Sequence, residues 1–228
     1  MSSRGGGLWP GLYIMAAAAL WSTIGVASVY SRNPIMLGLF RSLFASLVSL
    51  FIRRVFNKAS VLTGIALGVL FSVYPLAAVT AGVGLAAFLL YTAPLWATLV
   101  ALGMGERPSR RGVIGVSLVI IAIVLIGAQT IRGSISLIGV FLGLLSGISY
   151  GSYIALARRF AKAGDGGADV SLGAMPYTLI ITAPTAIAYS IMTSYWRPIV
   201  RPALWGVYLG IVTTVIPIGS SLWGGFRG

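Results

Sequence analysis

The side chains that transfer protons, attack substrates or bind metals are nearly absent from this chain of 228 residues. It has no histidine, no cysteine and only three acidic residues, Glu106, Asp165 and Asp169, and the sequence places all three in loops. The missing residue types exclude disulfides, thiol nucleophiles, Cys/His metal sites and Ser-His catalysis. We therefore predict no catalytic residue, no metal and no cofactor, and we do not expect an enzyme.

Arg41 is the one charged residue inside a long apolar run, GLFRSLFASLV. A guanidinium at the centre of a membrane costs about 2.5–3.5 kcal/mol on insertion scales, so a partner or a water-filled cavity is expected. Two roles are open from the residues alone. Arg41 contacts an anion or carboxylate, or it has a structural role, in which it bonds to backbone carbonyls or extends its charged end to the membrane surface.

Aromatic residues with a polar group lie in the middle of apolar runs, although tyrosine and tryptophan usually lie at membrane interfaces. Such residues suit a pocket for organic solutes, and core packing explains any single one equally well. Pro94 follows one of them closely and leaves a backbone carbonyl free to line a cavity. The candidates for a substrate cavity are Trp21, Tyr74, Tyr91, Pro94, Tyr150 and Tyr153.

Four glycines recur at every fourth position of one run: Gly139, Gly143, Gly147 and Gly151. Small residues at this spacing let two helices approach closely, so the pattern predicts a helix-packing face. A glycine-lined substrate path is the alternative.

The composition shows which elements must position these residues. Hydrophobic residues make up 58% of the chain and charged residues 8%, against about 45–50% and about 25% in soluble proteins. This composition predicts an all-α, polytopic membrane protein, because a bilayer core of about 30 Å needs about 20 apolar residues per helix. Runs of about that length occur at residues 10–30, 34–52, 60–79, 84–104, 112–129, 136–157, 171–192 and 202–223. About eight transmembrane helices are therefore expected in a cell membrane, and the lipid bilayer is the first expected partner.

The basic residues between the runs predict the orientation, since loops on the cytoplasmic side are rich in lysine and arginine. One side holds Arg4, Arg53, Arg54, Lys58, Arg107, Arg110, Arg111, Arg158, Arg159, Lys162 and Arg227, whereas the other holds Arg32, Arg132, Arg197 and Arg201. Both termini are therefore expected in the cytoplasm. The net charge of +13 is explained in this way, and nucleic acid is not an expected partner.

An internal repeat relates the third and eighth runs. TGIALGVLFSVYPLA and WGVYLGIVTTVIPIG share two glycines and a proline at a constant offset of 142 residues. Helices five spans apart run in opposite directions, and inverted repeats of this kind are typical of secondary transporters.

The segment 86–127, AAFLLYTAPLWATLVALGMGERPSRRGVIGVSLVIIAIVLIG, resembles the EamA-type drug/metabolite transporters. That family has a proline in its fourth helix (here Pro94), a Gly-Glu-Arg at the exit of that helix, and a glycine at the start of the fifth. The Gly-Glu-Arg is Gly105-Glu106-Arg107 in this chain. The resemblance implies that Glu106 and Arg107 form a structural helix exit. Trp21 and Arg41 fit the same pattern. The family shares this arginine whatever its substrate, which favours the structural role for Arg41.

The resemblance implies two repeats of five helices, whereas this chain has five runs followed by three. We expect a first repeat over residues 8–131 and a second, incomplete repeat over 134–228. The expected function is transport of a small organic solute by alternating access, not coupled to protons through carboxylates of its own. The alternative is a truncated fragment that transports nothing, or a subunit whose missing helices come from another copy or a partner chain.

Overall fold

Long apolar runs become helices here because a helix satisfies all of its backbone hydrogen bonds internally, as hydrocarbon requires. The computed structural model describes residues 9–52, 57–106, 113–121, 136–164, 166–193 and 199–215, and this part contains no strand. The helices are α1 (Trp9–Tyr30), α2 (Pro34–Ile52), α3 (Lys58–Thr80), α4 (Val83–Leu90), α5 (Ala93–Gly103), α6 (residues 113–121), α7 (Leu137–Lys162), α8 (Gly167–Thr193) and α9 (Val200–Val207). A π-helix over Tyr208–Val215, here called the π-segment, continues α9.

Five stretches of the described chain are long and apolar enough to cross a membrane: Pro34–Ile52, Lys58–Thr80, Val83–Gly103, Leu137–Lys162 and Asp169–Thr193. Two shorter apolar helical stretches, Met15–Tyr30 and Val200–Val215, overlap the first and last predicted runs, and residues 216–223 of the last run lie outside the described residues. The prediction of an all-α polytopic membrane protein is confirmed. The fifth predicted run, 112–129, lies partly outside the described residues.

The fourth predicted run is divided into α4 and α5. Tyr91 and Thr92 lie between the two helices, and Pro94 occupies the first turn of α5. Proline is tolerated in a first turn because the N–H it lacks has no partner there. The hydroxyl of Thr92 donates to the carbonyl of Leu89 at 2.6 Å, which satisfies one of the acceptors left at the end of α4.

One sequence prediction about the acids is wrong. Asp169 lies in the first turn of α8 and not in a loop. A carboxylate is favourable there, because it faces the positive end of the helix dipole. The segment between the sixth and seventh runs is thus largely helical, with α7 ending at Lys162 and α8 beginning at Gly167.

Helix α3 lies inside the bundle, and more than half of its residues are buried. Its Leu67, Phe71 and Tyr74 join Leu172 and Met175 of α8 in the main hydrophobic cluster. Leu67, Phe71 and Tyr74 are spaced by four and three residues, which puts them on one face of α3, and this face turns inward. The same face of α3 contributes to the cavity described below.

The two repeated glycine pairs make matching contacts. Gly64 and Gly68 of α3 lie against α8, whereas Gly206 and Gly210 lie against α2. An added Cβ at Gly68 would be 2.8 Å from a backbone oxygen of α8, and one at Gly210 would be 2.8 Å from a backbone oxygen of α2. Helix α3, the third helix of the first predicted repeat, thus packs on α8, the second helix of the second predicted repeat. In the same way α9 and the π-segment, which form the third helix of the second repeat, pack on α2, the second helix of the first. An exchange of this kind is what a two-fold relation between the repeats produces.

Candidate functional site

A cavity of about 570 Å³ lies between α1, α2, α3, α4, α7, α8 and the π-segment. This volume falls within the range of about 300–1,000 Å³ that is typical of sites for small molecules. Arg41 is the one charged side chain among the described residues that line it. The aromatic residues of the wall are Trp21, Phe71, Tyr74, Tyr91, Tyr150 and Tyr153. The cavity therefore combines aromatic surfaces, hydroxyl groups and a single positive charge.

Five of the six residues proposed from the sequence border this cavity: Trp21, Tyr74, Tyr91, Tyr150 and Tyr153. Pro94 does not border it and is exposed in the first turn of α5. Trp21 and Tyr91 are 44% and 64% exposed, whereas Tyr74 is buried. The cavity thus has an accessible side at Trp21 and Tyr91 and a buried side at Tyr74. That a solute binds there stays a prediction.

Arg41 is buried, with 9% of its surface exposed. Its Nε and Nη2 both donate to Oγ1 of Thr214, at 3.2 and 3.1 Å. Its guanidinium carbon lies 3.9 Å from the centroid of the Phe71 ring, which is a cation–π contact. No acidic residue in the described ranges pairs with it. Arg41 therefore connects α2 to α3 and to the π-segment, and the described part of the cavity wall supplies no counter-ion for its charge.

The π-segment supplies both threonines of the cavity wall, Thr213 and Thr214. Pro217 has no N–H, so the α-helical hydrogen bond to the carbonyl four residues earlier, that of Thr213, cannot form. The indole Nε1 of Trp21 donates to this carbonyl at 2.8 Å. Short π-helical turns often occur at functional sites. Here the irregular backbone is stabilised by a side chain from α1, at the edge of the cavity.

Two tyrosines of α7 lie together at the cavity, and one of them is bonded to α8. The rings of Tyr150 and Tyr153 are stacked, with centroids 6.2 Å apart and an interplanar angle of 10°. The hydroxyl groups of Tyr153 and Ser171 are 2.7 Å apart. Because Ser171 donates its own proton to the carbonyl of Gly167, Tyr153 is the donor of this hydrogen bond. The arrangement fixes both rings at the wall.

The family model described as the EamA-like transporter family matches residues 8–128, just over half of the chain. The chain belongs to the EamA-like transporter family. It is thereby a membrane transporter of the drug/metabolite superfamily, and the resemblance seen in the sequence is confirmed. Among curated proteins and solved structures no match is found. The matched region includes α1 to α5 and, with them, Trp21, Arg41, Tyr74 and also Tyr91 between α4 and α5.

The Gly-Glu-Arg segment of this EamA-like transporter follows α5. Oε2 of Glu106 accepts a hydrogen bond from Nζ of Lys162, at 2.9 Å, which joins the end of α5 to the end of α7. This bond, together with the nearby positive charges, lowers the pKa of the Glu106 carboxyl below its ordinary value. Arg107, the last residue of the Gly-Glu-Arg segment, lies outside the described residues.

The glycine series of α7 lies against α4 and α5. Added Cβ atoms at Gly147 and Gly151 would each be 2.6 Å from a backbone oxygen, of α4 and of α5 respectively. An added Cβ at Gly139 would be 2.6 Å from Ala81, at the end of α3, and one at Gly143 would be 2.6 Å from Leu89 of α4. None of the four is among the described residues that line the cavity. The helix-packing interpretation accounts for these contacts.

Sequence reasoning missed most residues of the wall, among them Phe71, Ser171, Thr213 and Thr214. A signal was present for the threonines, because two adjacent hydroxyl residues stand in an apolar run just before a proline. A buried arginine needs acceptors, and such a pair supplies them. Phe71 and Ser171 carry no signal in the sequence that separates them from ordinary packing residues.

Proposed function

We propose that this EamA-like transporter carries small organic solutes across the membrane by alternating access, with the aromatic cavity as the binding site. The observation that carries the proposal is the cavity of about 570 Å³ at the meeting point of helices from both predicted repeats. Transporters with inverted repeats bind substrate near the midplane, at the interface of the repeats. The aromatic rings supply apolar surface, and their hydroxyl groups supply hydrogen bonds that orient a solute.

The division into a first repeat over residues 8–131 and a second over 134–228 is part of the proposal. The exchanged contacts of the two glycine pairs support it, because each pair packs on the helix that precedes its counterpart in the other repeat. Rocking of one repeat against the other then opens the cavity to each side in turn.

Coupling to protons through carboxylates of this chain is not part of the mechanism. A proton-coupled carrier needs an acid or a histidine that exchanges its proton within the membrane. Neither Glu106 nor Asp169 is among the described residues that line the cavity, and the chain has no histidine. Transport is therefore facilitative, or it is driven by exchange with another solute or with an ion bound by carbonyls and hydroxyls.

Both termini lie in the cytoplasm under this proposal. The basic residues support this orientation, since they are concentrated in the segments on one side of the predicted spans. The ion pair of Glu106 with Lys162 adds support from geometry. It joins two segments that the orientation places at the same face.

Single cysteines test alternating access directly, because the chain has none of its own. Ser22 lines the cavity, so Ser22→Cys should react with a charged, membrane-impermeant thiosulfonate added to either side of the membrane. Ile180→Cys is the matched control, since Ile180 is 52% exposed in the middle of α8 and does not line the cavity. It should react from neither side.

Right-side-out and inside-out vesicles of both variants give the four labelling rates. Reaction of Ser22→Cys from one side alone would contradict alternating access. Absence of reaction from both sides would show that the cavity is not open to water, which would overturn the proposed function itself.

A further inference from the structure

We infer that the solute class is small organic anions with an aromatic or apolar body, bound with the carboxylate on Arg41 and the body against the tyrosines. This inference rests on the proposed function, because it assigns the substrate of the same cavity. It follows from the unused donors of Arg41, from its uncompensated charge and from the distribution of aromatic residues around it.

The first observation is the geometry of the guanidinium. Arginine has five N–H donors, in a planar fork. The edge formed by Nε and Nη2 is directed at one oxygen, Oγ1 of Thr214. Within the described ranges no protein acceptor meets the other edge, formed by Nη1 and Nη2. Two parallel N–H groups point outward from that edge, so it can bind a carboxylate through two hydrogen bonds while the first edge stays on Thr214.

The second observation is the charge of the cavity. Arg41 is buried and is the one ionised side chain of the described wall. A buried charge without a counter-ion is costly, and Phe71 and Thr214 replace only part of its hydration. An anionic solute supplies the missing counter-charge in surroundings of low dielectric, where the attraction is strongest. A cationic solute would add a second positive charge to the same cavity.

The third observation is where the apolar surface lies. Arg41 and Tyr74 form the buried side of the cavity, and Trp21 and Tyr91 form its accessible side. Leu67, Leu70 and Leu90 complete the wall with aliphatic surface. A solute with its carboxylate on Arg41 therefore places its body among rings and aliphatic side chains. Aromatic rings attract one another beyond the effect of buried area alone, so a flat body is favoured.

Holding the helices together is the other role for Arg41, and the structure shows that part of it as well. Its bonds to Thr214 and its contact with Phe71 connect three elements. These contacts orient the guanidinium and use two of its five donors, which leaves the second edge for a ligand. The two roles are therefore compatible in one side chain, which explains how an arginine can anchor helices and bind an anion.

Three probes with the same phenyl body separate the head groups: 3-phenylpropionate, 3-phenylpropanamide and 3-phenylpropylammonium. Each is titrated by calorimetry into the full chain, purified in detergent micelles, at pH 7.5. The anion should bind at least about tenfold more tightly than the amide, which is about 1.4 kcal/mol, because hydrogen bonds between ionised groups are about twice as strong as neutral ones. The cation should bind most weakly.

Variants assign the preference to Arg41. Arg41→Gln should bring the ratio of anion to amide affinity close to 1, and Arg41→Lys should give an intermediate ratio because it keeps the charge and loses the fork. Arg158→Gln is the matched control, since it removes an exposed charge of α7 outside the cavity and should leave the ratio unchanged. Far-UV circular dichroism and gel filtration establish that each variant is folded.

The outcomes distinguish the two proposals. Equal binding of anion and amide by the wild type, tighter binding of the cation, or binding of none of the three overturns the anion class, while two-sided labelling of Ser22→Cys keeps the carrier. A folded Arg41→Gln that retains the anion preference overturns the inference that the carboxylate binds on Arg41. If Arg41→Gln does not fold, the three titrations of the wild type decide. One-sided labelling of Ser22→Cys rejects the carrier whichever probe binds.

Discussion

Gly151→Ala should separate α7 from α5 and destabilise the fold. An added Cβ would lie 2.6 Å from the carbonyl oxygen of Ala93, 2.6 Å from Cβ of Trp96 and 2.8 Å from the nitrogen of Ala97. All three are backbone or Cβ atoms, so no side-chain rotation relieves the contact. The helices must move apart by about 0.8 Å to reach ordinary contact at 3.4 Å. A gap of that size removes about a quarter to a half of each dispersion contact along the interface.

The magnitude follows from two opposed effects. Overpacking costs about 1–3 kcal/mol, and alanine returns about 1 kcal/mol through its higher helix propensity. Gly84→Ala is the matched control, because nothing lies within 4 Å of its added Cβ. The free energy of unfolding of Gly151→Ala should be lower than that of Gly84→Ala by about 1–3 kcal/mol. Denaturation with SDS in mixed micelles, followed by circular dichroism, measures the difference. Equal stability of the two variants would refute the packing role of the glycine series.

Three further predictions concern hydrogen bonding and ionisation. Trp21→Phe should lower the free energy of unfolding by about 1 kcal/mol, because the carbonyl of Thr213 loses its donor; unchanged stability in the same SDS titration would contradict this. Glu106→Gln should lower the melting temperature at pH 7, and the difference should vanish in acid. The hydrogen bond from Lys162 lowers the pKa of Glu106, so its stabilisation is complete above the ordinary value of 4.5 and is lost as pH falls through the lowered pKa; a difference that persists in acid would disprove this. The affinity for 3-phenylpropionate should be constant between pH 6.5 and 8.5, and a tenfold change per pH unit would show that binding is coupled to a proton.

The fold class and the family follow from the sequence because both rest on strong local signals. Apolar runs of membrane length predict the helices, and the Pro94 to Glu106 segment identifies the family. The break between α4 and α5 is less predictable, since a proline in an apolar run either kinks a helix or begins one. The position of Asp169 is not predictable from apolar runs alone, because a helix can extend beyond the apolar run into polar residues. Asp169 lies in such an extension, in the first turn of α8.

The cavity is predictable only in part. Tyrosine and tryptophan in the middle of a membrane span are unusual, so their positions are a usable signal. Five of the six candidates from the sequence border the cavity. The contact of Arg41 with Thr214 joins residues 173 positions apart, and no periodicity predicts such a pair. The π-segment is likewise invisible in the sequence, because Pro217 indicates a free carbonyl but not the side chain that satisfies it. The position of Trp21 within an apolar run makes it a cavity candidate, but the sequence does not predict its hydrogen bond to the carbonyl of Thr213.

The most direct test of transport measures solute release from proteoliposomes before and after the cavity is blocked by a reagent bound to a cysteine in its wall. Proteoliposomes of Ser22→Cys are loaded with a mixture of small neutral, cationic and anionic organic solutes, and release of each is followed by mass spectrometry. At least one solute should leave faster than from protein-free liposomes, release should stop when a bulky thiosulfonate modifies the cysteine in the cavity, and it should resume when a reductant removes the plug. Release that continues through the plugged protein, or that never exceeds the protein-free rate, would contradict transport through this cavity.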